Sequence, residues 1–247
     1  MTKVFVAQPA YGAGQFERES YDAPDSAIDQ LEELAKLPYE SSLLANGFNK
    51  CLCACLNLGD YDEFCLLHGD VIPWPQEGWL ETLIAERDAH GLDVIHAPCA
   101  IKDGRGLTST AIAVSADPWA NKRRITTTEL HHLPETFTID DVRRIIEPTA
   151  VVLLPNTGCL LFSAKAAWLD RFPGFAILDR IDPPDAEGKR LARVVPEDWH
   201  FGHWAHDQGL RVGGTRKVTP RHVGKMPFMT EVAWGKPHDE QWLENAA

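Results

Sequence analysis

Apolar positions along this chain fall into short unbroken runs and into stripes with helical spacing. Residues 4–7 (VFVA) form a continuous apolar run, the pattern of a short buried strand, and Pro9 to Gly14 turn it into a loop. Asp25 or Ser26 then suits the cap of a helix striped by Ile28, Leu31, Leu34 and Leu37 and stopped by Pro38. Residues 41–45 read as a second strand. Phe48, Leu52, Cys55 and Leu56 recur as one helical face, ended by Gly59-Asp60. A third strand covers 64–67. The next helix carries Trp79, Leu80, Leu83, Ile84 and Ala89 and closes at Gly91. Strands at 93–97 and 108–114 follow. Strand and helix alternate to about residue 98, which predicts an α/β fold with a parallel sheet.

The second half is more mixed. A short helix is expected at 139–146. Apolar runs at 151–154 and 159–162 flank Pro155-Asn156-Thr157-Gly158, as in a hairpin or a kinked strand pair. The segment IDPPDAEGKR, 181–190, reads as a surface loop. Pro196 suits the first turn of a helix running to about Gln208, and 212–218 form a last strand. Beyond about Lys225 no periodicity is visible. No repeat and no linker divides the chain, so a single domain over 1–247 is expected.

Composition narrows the function. The chain has 247 residues, 44% hydrophobic and 24% charged, which is enough to build a sizeable core. A formal net charge of −12 argues against a generally basic nucleic-acid face. Lys122-Arg123-Arg124 and the basic residues of 211–221 are read instead as places to meet phosphate. No apolar stretch approaches the roughly 20 residues of a membrane span, and 4–7 are too short for a signal peptide. The expectation is a cytoplasmic protein with no membrane span. Six cysteines, three of them alternating in CLCAC, read as reduced small hydrophobes, with Cys51 and Cys55 on one helix face and Cys53 elsewhere.

The candidate chemistry lies in three places. The run 64–67 ends abruptly in His68-Gly69-Asp70. At the carboxyl end of a strand, residues two apart face the same side, and ligands of α/β sheets gather there. Oxygen donors suit Mg²⁺ or Mn²⁺, and an imidazole shifts the preference toward Mn²⁺. Glu197-Asp198 opens the 196–208 helix. Acids are favoured there by the helix dipole, and a carboxylate there is also a candidate general base. His222 follows the last strand as a candidate late ligand. His200, His203 and His206 recur every three residues without a zinc motif. Gly12-Ala13-Gly14 begins a dinucleotide fingerprint that Glu17 fails to complete.

Taken in order, these features resemble the GT-A glycosyltransferases, most closely family-2-type enzymes. The resemblance covers about residues 3 to 225. It implies a GT-A, Rossmann-like α/β fold with a mixed central sheet. A nucleotide-binding half would cover about 1–115, an acceptor half about 116–225, and a tail 226–247. Pro9, Ala10 and Tyr11 match the nucleotide loop, and Asn46 or Asn49 matches an asparagine near the nucleotide. His68, Gly69 and Asp70 match the metal and donor motif, with His68 standing where the family has an acid, so Asp70 is the stronger metal ligand. Gly158 and Trp199 fall in the acceptor region, Glu197 and Asp198 match the catalytic acidic pair, and His222 matches the terminal metal histidine.

The implied activity is transfer of a sugar from a nucleotide-sugar donor to an acceptor hydroxyl, with Mn²⁺ or Mg²⁺ as cofactor, Asp198 as base and inversion expected. The acceptor is open: a saccharide, a lipid-linked sugar, a protein, a small molecule or modified nucleic acid. Two other classes stay in view. One is a nucleotidyltransferase of related fold, against which stands the lack of a glycine-rich, basic signature near residue 10. The other is a non-catalytic sugar-nucleotide-binding protein, which His68 in place of the acid keeps open.

Overall fold

A computed structural model describes residues 2–9, 44–75, 77–223, 227–231, 233 and 242–243. The helix expected at 25–37, the 10–14 loop and residues 41–43 lie outside the described residues. The central sheet has six strands: β1 (Val4–Ala7), β2 (Glu63–Leu67), β4 (Val94–His96), β7 (Thr136–Thr138), β9 (Cys159–Ser163) and β12 (Val212–Thr215), in the spatial order β1-β2-β9-β4-β12-β7. Every residue of β1, β2 and β4 is buried, as their unbroken apolar runs require of strands covered on both faces. Helices α1 (Leu44–Leu58) and α2 (Trp79–Ala89) lie beside them. Glu63, inside β2, is tolerated because Arg87 of α2 grips its carboxylate with both terminal nitrogens, Nη2 standing 2.8 Å from Oε1.

The sheet is mixed rather than parallel. β1 pairs parallel with β2, and β4 with β12, but β9 inserts antiparallel between β2 and β4, with Leu161 facing both Cys65 and Ile95. The strand–helix rhythm of the first hundred residues cannot register a strand that arrives from residue 159. Of the two readings of 151–162, a hairpin or a kinked strand pair, the hairpin is overturned. β8 (Val152–Leu154) joins a second, antiparallel sheet with β5 (Leu107–Ala113), β6 (Lys122–Thr126) and β15 (Trp242–Leu243). Pro155 to Gly158 therefore cross from one sheet to the other. A third sheet holds β3 (Val71–Ile72), β13 (Arg221–Val223) and β14 (Pro227–Phe228), and β10 (Leu178–Ile181) pairs with β11 (Ala192–Val195) as a hairpin whose connection, 182–191, lies one residue beyond the loop expected at 181–190.

The stretch between the expected elements at 108–114 and 139–146 holds three that the apolar pattern did not announce: β6, α3 (Thr127–His132) and β7. In β6, Lys122 is 1% exposed and donates to the Pro118 and Ala120 carbonyls, and Arg123 is paired with Glu129 at 2.9 Å. The Lys122-Arg123-Arg124 cluster is therefore largely structural, not a free phosphate patch. Thr126 and Glu129 form a reciprocal capping box that starts α3. At α1, Leu44 and Ala45 belong to the first helical turn rather than to a second strand. Cys51 and Cys55 are buried and Cys53 is exposed, and all six cysteines are free thiols.

Helix α5 (Glu197–Asp207) matches its predicted span closely, with Pro196 preceding it as the cap residue. It sits tight against the sheet crossing: a Cβ on Gly202 would come within 2.9 Å of Leu154 and Pro155, so only glycine allows this approach. The helix is also anchored by rings. Phe201 stands 5.4 Å from Phe175, and Trp204 stands 4.8 Å from Phe172, centroid to centroid. Such pairs contribute roughly 0.5–1.5 kcal/mol each beyond area burial. Among the described residues no helix is long and apolar enough to cross a membrane.

Candidate functional site

The site begins where β2 stops. His68 N–H donates to the Gly158 carbonyl (2.9 Å), and Val71 N–H closes a turn onto the His68 carbonyl (3.0 Å). His68-Gly69-Asp70 is thus a tight turn, not a continued strand, and the alternation expected across Gly69 does not apply. Gly69 lies against the end of β1: a Cβ there would stand 3.9 Å from the Pro9 carbonyl oxygen. Ala10 and Tyr11 lie outside the described residues.

Asp70 projects into a charged cluster. β13 runs antiparallel to β3, pairs His222 with Val71, and donates its Val223 N–H to the Asp70 carbonyl (2.7 Å). That register sets His222 Nε2 3.5 Å from Asp70 Oδ2. His222 Nδ1 lies 2.8 Å from the Ala100 carbonyl oxygen, which fixes that nitrogen as the donor. The Lys102 ammonium contacts Asp70 Oδ2 directly. Burial pushes the Asp70 carboxyl up, but hydrogen bonds from His222 and Lys102 outweigh it and hold it well below the usual carboxylate range.

Asp70 and His222 are donors of the types that Mn²⁺ or Mg²⁺ accepts. Asp70 Oδ2 and His222 Nε2 lie 3.5 Å apart, and the Ala100 carbonyl holds Nδ1, so that a neutral ring keeps its lone pair on Nε2. His68 is placed differently. Its Nε2 lies 3.3 Å from the Thr157 hydroxyl, its ring packs 5.3 Å from Phe48, and burial pushes its pKa down to about 4. Among the described residues no group of three or more His, Cys, Asp or Glu side chains is arranged to hold a metal ion. His68 therefore does not join Asp70 and His222 as the expected third ligand. The α5 histidines form no such group either.

The second half of the site is the start of α5. Glu197 is buried and accepts a hydrogen bond from the Thr157 hydroxyl. The same Thr157 oxygen then accepts from His68, which assigns the proton to His68 Nε2. Asp198 accepts the Trp199 backbone N–H (2.7 Å). Burial pushes the Asp198 carboxyl up to about 7; the like charge of Glu197 adds to this, and the Arg124 guanidinium opposes it. Burial likewise raises Glu197, against the Thr157 hydrogen bond. Arg124 is held by the Ser109 carbonyl (3.1 Å) and lies 5.1 Å from the centre of the buried Trp199 ring, whose surroundings also include Lys122 Nζ at 5.6 Å.

Four of the expected residues are thus joined in one chain of contacts: Asp198 beside Glu197, then Thr157, His68 and the Asp70 turn. Gly158 belongs to it through its carbonyl, and close packing against Cys99 Sγ, 3.1 Å from where its Cβ would be, favours glycine there. Asn49 is elsewhere. Its amide is spent on the Phe175 backbone, donating to the carbonyl (2.9 Å) and accepting the N–H (2.7 Å), and Asn46 is exposed on α1. Sequence reasoning missed Thr157 and Lys102, and it noticed Arg124 only as part of a phosphate patch. Only Thr157 carried a signal, as a polar residue inside a turn between two apolar runs.

No family model and no curated protein matches the sequence. Among solved structures, the crystal structure of A197 from STIV is similar over 96% of this chain and 96% of that one, with a TM-score of 0.52 and 13% sequence identity. At that identity the likeness speaks to fold alone, and it supports an α/β architecture with a mixed central sheet.

Proposed function

We propose that this chain is a metal-dependent glycosyltransferase of the GT-A type that moves a sugar from a nucleotide-sugar to an acceptor hydroxyl with inversion. The observation that carries the reading is the carboxylate pair of buried Glu197 and half-buried Asp198, connected through Thr157 and His68 to the Asp70–His222 cluster. In this reading it links a carboxylate of near-neutral pKa to the residues that would hold a cation and phosphates.

In this reading Asp198 takes the proton of the acceptor hydroxyl. The acceptor oxygen bonds to the anomeric carbon, and the bond to the diphosphate breaks with its electron pair leaving on phosphate. A base with a pKa near the working pH balances its ionised fraction against its proton affinity, and burial beside Glu197 tunes Asp198 to that range. Arg124 keeps the carboxylate from rising further and, with Trp199, forms one wall next to it. Asp70 and His222 would hold Mn²⁺ or Mg²⁺, which would supply neutralisation of the departing diphosphate. Thr157 and His68 fix the carboxylate pair relative to the Asp70 turn.

The test is product analysis on a panel of nucleotide-sugars with Mn²⁺ or with chelator. Metal-dependent release of the nucleoside diphosphate, by transfer or slow hydrolysis, supports the proposal. Pyrophosphate release from a nucleoside triphosphate and a sugar phosphate would assign a nucleotidyltransferase. Binding with no turnover would leave a sugar-nucleotide-binding protein.

A further inference from the structure

The segment between β4 and β5 touches both members of the cation site. Ala100 offers its carbonyl to His222 Nδ1 at 2.8 Å, and two residues later Lys102 lays its ammonium on Asp70 Oδ2. Oδ2 is also the oxygen that His222 Nε2 approaches at 3.5 Å. A cation held between Asp70 and His222 would take this same oxygen, the one that faces His222 Nε2. An ammonium and a divalent ion cannot share it without bringing like charges together in a partly buried place. One has to yield, and the lysine can. Both side chains of the pair are 33% exposed, so the ammonium has a way out, and its four-carbon stem allows it to swing while Ala100 keeps its hold on His222. The neighbouring Asp103 carboxylate is already taken by Arg105, at 2.7 Å, and does not compete for Lys102.

We propose that Lys102 is a resident counter-cation of Asp70, displaced when a divalent metal binds and then available to the diphosphate of the donor as a second positive ligand. The inference rests on the metal reading above and deepens it. In the free protein the ammonium fills the charge deficit of Asp70 and discourages binding of metal alone. When metal and diphosphate arrive together, the freed ammonium gains a phosphate partner, so the two bind cooperatively.

The experiment titrates Mn²⁺ alone, and then the Mn²⁺–pyrophosphate complex, into the full chain by calorimetry, comparing the wild type with Lys102→Met and Lys102→Arg. Coupling between ligands is typically about 5- to 150-fold. Lys102→Met is therefore expected to bind Mn²⁺ alone about tenfold more tightly and Mn²⁺–pyrophosphate about tenfold more weakly, with Lys102→Arg close to wild type in both. Mn²⁺ binding equal to or weaker than wild type in Lys102→Met would overturn the counter-cation role and leave the metal site standing. Unchanged Mn²⁺–pyrophosphate affinity would overturn the phosphate role. Absence of Mn²⁺ binding in all three proteins would overturn the metal reading and this inference with it.

Discussion

Asp198→Asn is the substitution that most directly separates a functional carboxylate from a structural one. An aspartate side chain ordinarily titrates near 3.8, whereas burial, with Glu197 beside it, moves Asp198 to about 7. At about 1.36 kcal/mol per pKa unit, a displacement of roughly three units corresponds to a ceiling near 4 kcal/mol for ionising this group in the folded state. Coupling to Glu197 and the attraction of Arg124, which the amide forfeits, reduce the net gain on replacement to roughly 1–2 kcal/mol. The sign follows from proton counts. Between pH 4 and 7 the folded chain holds a proton on Asp198 that the unfolded chain has lost, so this group makes stability fall as pH rises, and the cost is complete above 7. Asp198→Asn removes the cost. Its advantage over wild type is expected to be near zero below pH 4 and to grow to its full value by pH 8. For a chain of this length that is roughly 2–4 °C in melting temperature. The same substitution removes the proposed general base, and turnover should drop about 10²- to 10⁴-fold. Thermal denaturation from pH 4 to 8, run beside a diphosphate-release assay, measures both. A melting temperature that falls at pH 8, or a gain independent of pH, would refute the electrostatic reasoning. A near-wild-type rate would refute the base assignment.

Two further outcomes are expected. Wild-type turnover should rise with pH through about 7 and then level, because Asp198 must be ionised to act as base; a profile already flat from pH 5 upward would remove Asp198 from the chemistry. Glu63→Gln should destabilise the fold by roughly 1.5–3 kcal/mol by leaving Arg87 with only the exposed Asp88 as counter-charge, and a denaturant midpoint unchanged from wild type would show that the β2–α2 pair does not hold these elements together.

What the sequence disclosed depended on whether a residue's neighbours were local. The end of β2 at Leu67, the α2 span and the α5 span were legible because apolar runs, helical stripes and the flanking Gly and Pro residues are local signals. The basic strand β6 was not, because Lys122 and Arg123 are buried by partners, carbonyls at 118 and 120 and Glu129, that no pattern of polarity announces. The same division runs through the site. Asp70, His222, Glu197 and Asp198 could be singled out by residue type and order. Thr157, Lys102 and Arg124 could not, since each matters only through what the fold sets beside it.

The sheet crossing explains how such separate residues come to act together. Reading 151–162 as a hairpin would keep Thr157 at a surface turn, remote from both acids. Because β8 belongs to one sheet and β9 to another, Pro155 to Gly158 pass between the turn that ends β2 and the start of α5. Gly158 binds the backbone of His68, Thr157 binds its ring, and the same Thr157 hydroxyl reaches Glu197. Gly202 then lets α5 rest on Leu154 and Pro155, at the first residue of that crossing. Four consecutive residues, 155–158, thus fix the distance between the carboxylates that would accept a proton and the carboxylate that would face the cation. A change in that crossing would disturb both ends of the site at once, even though it carries no charged group of its own.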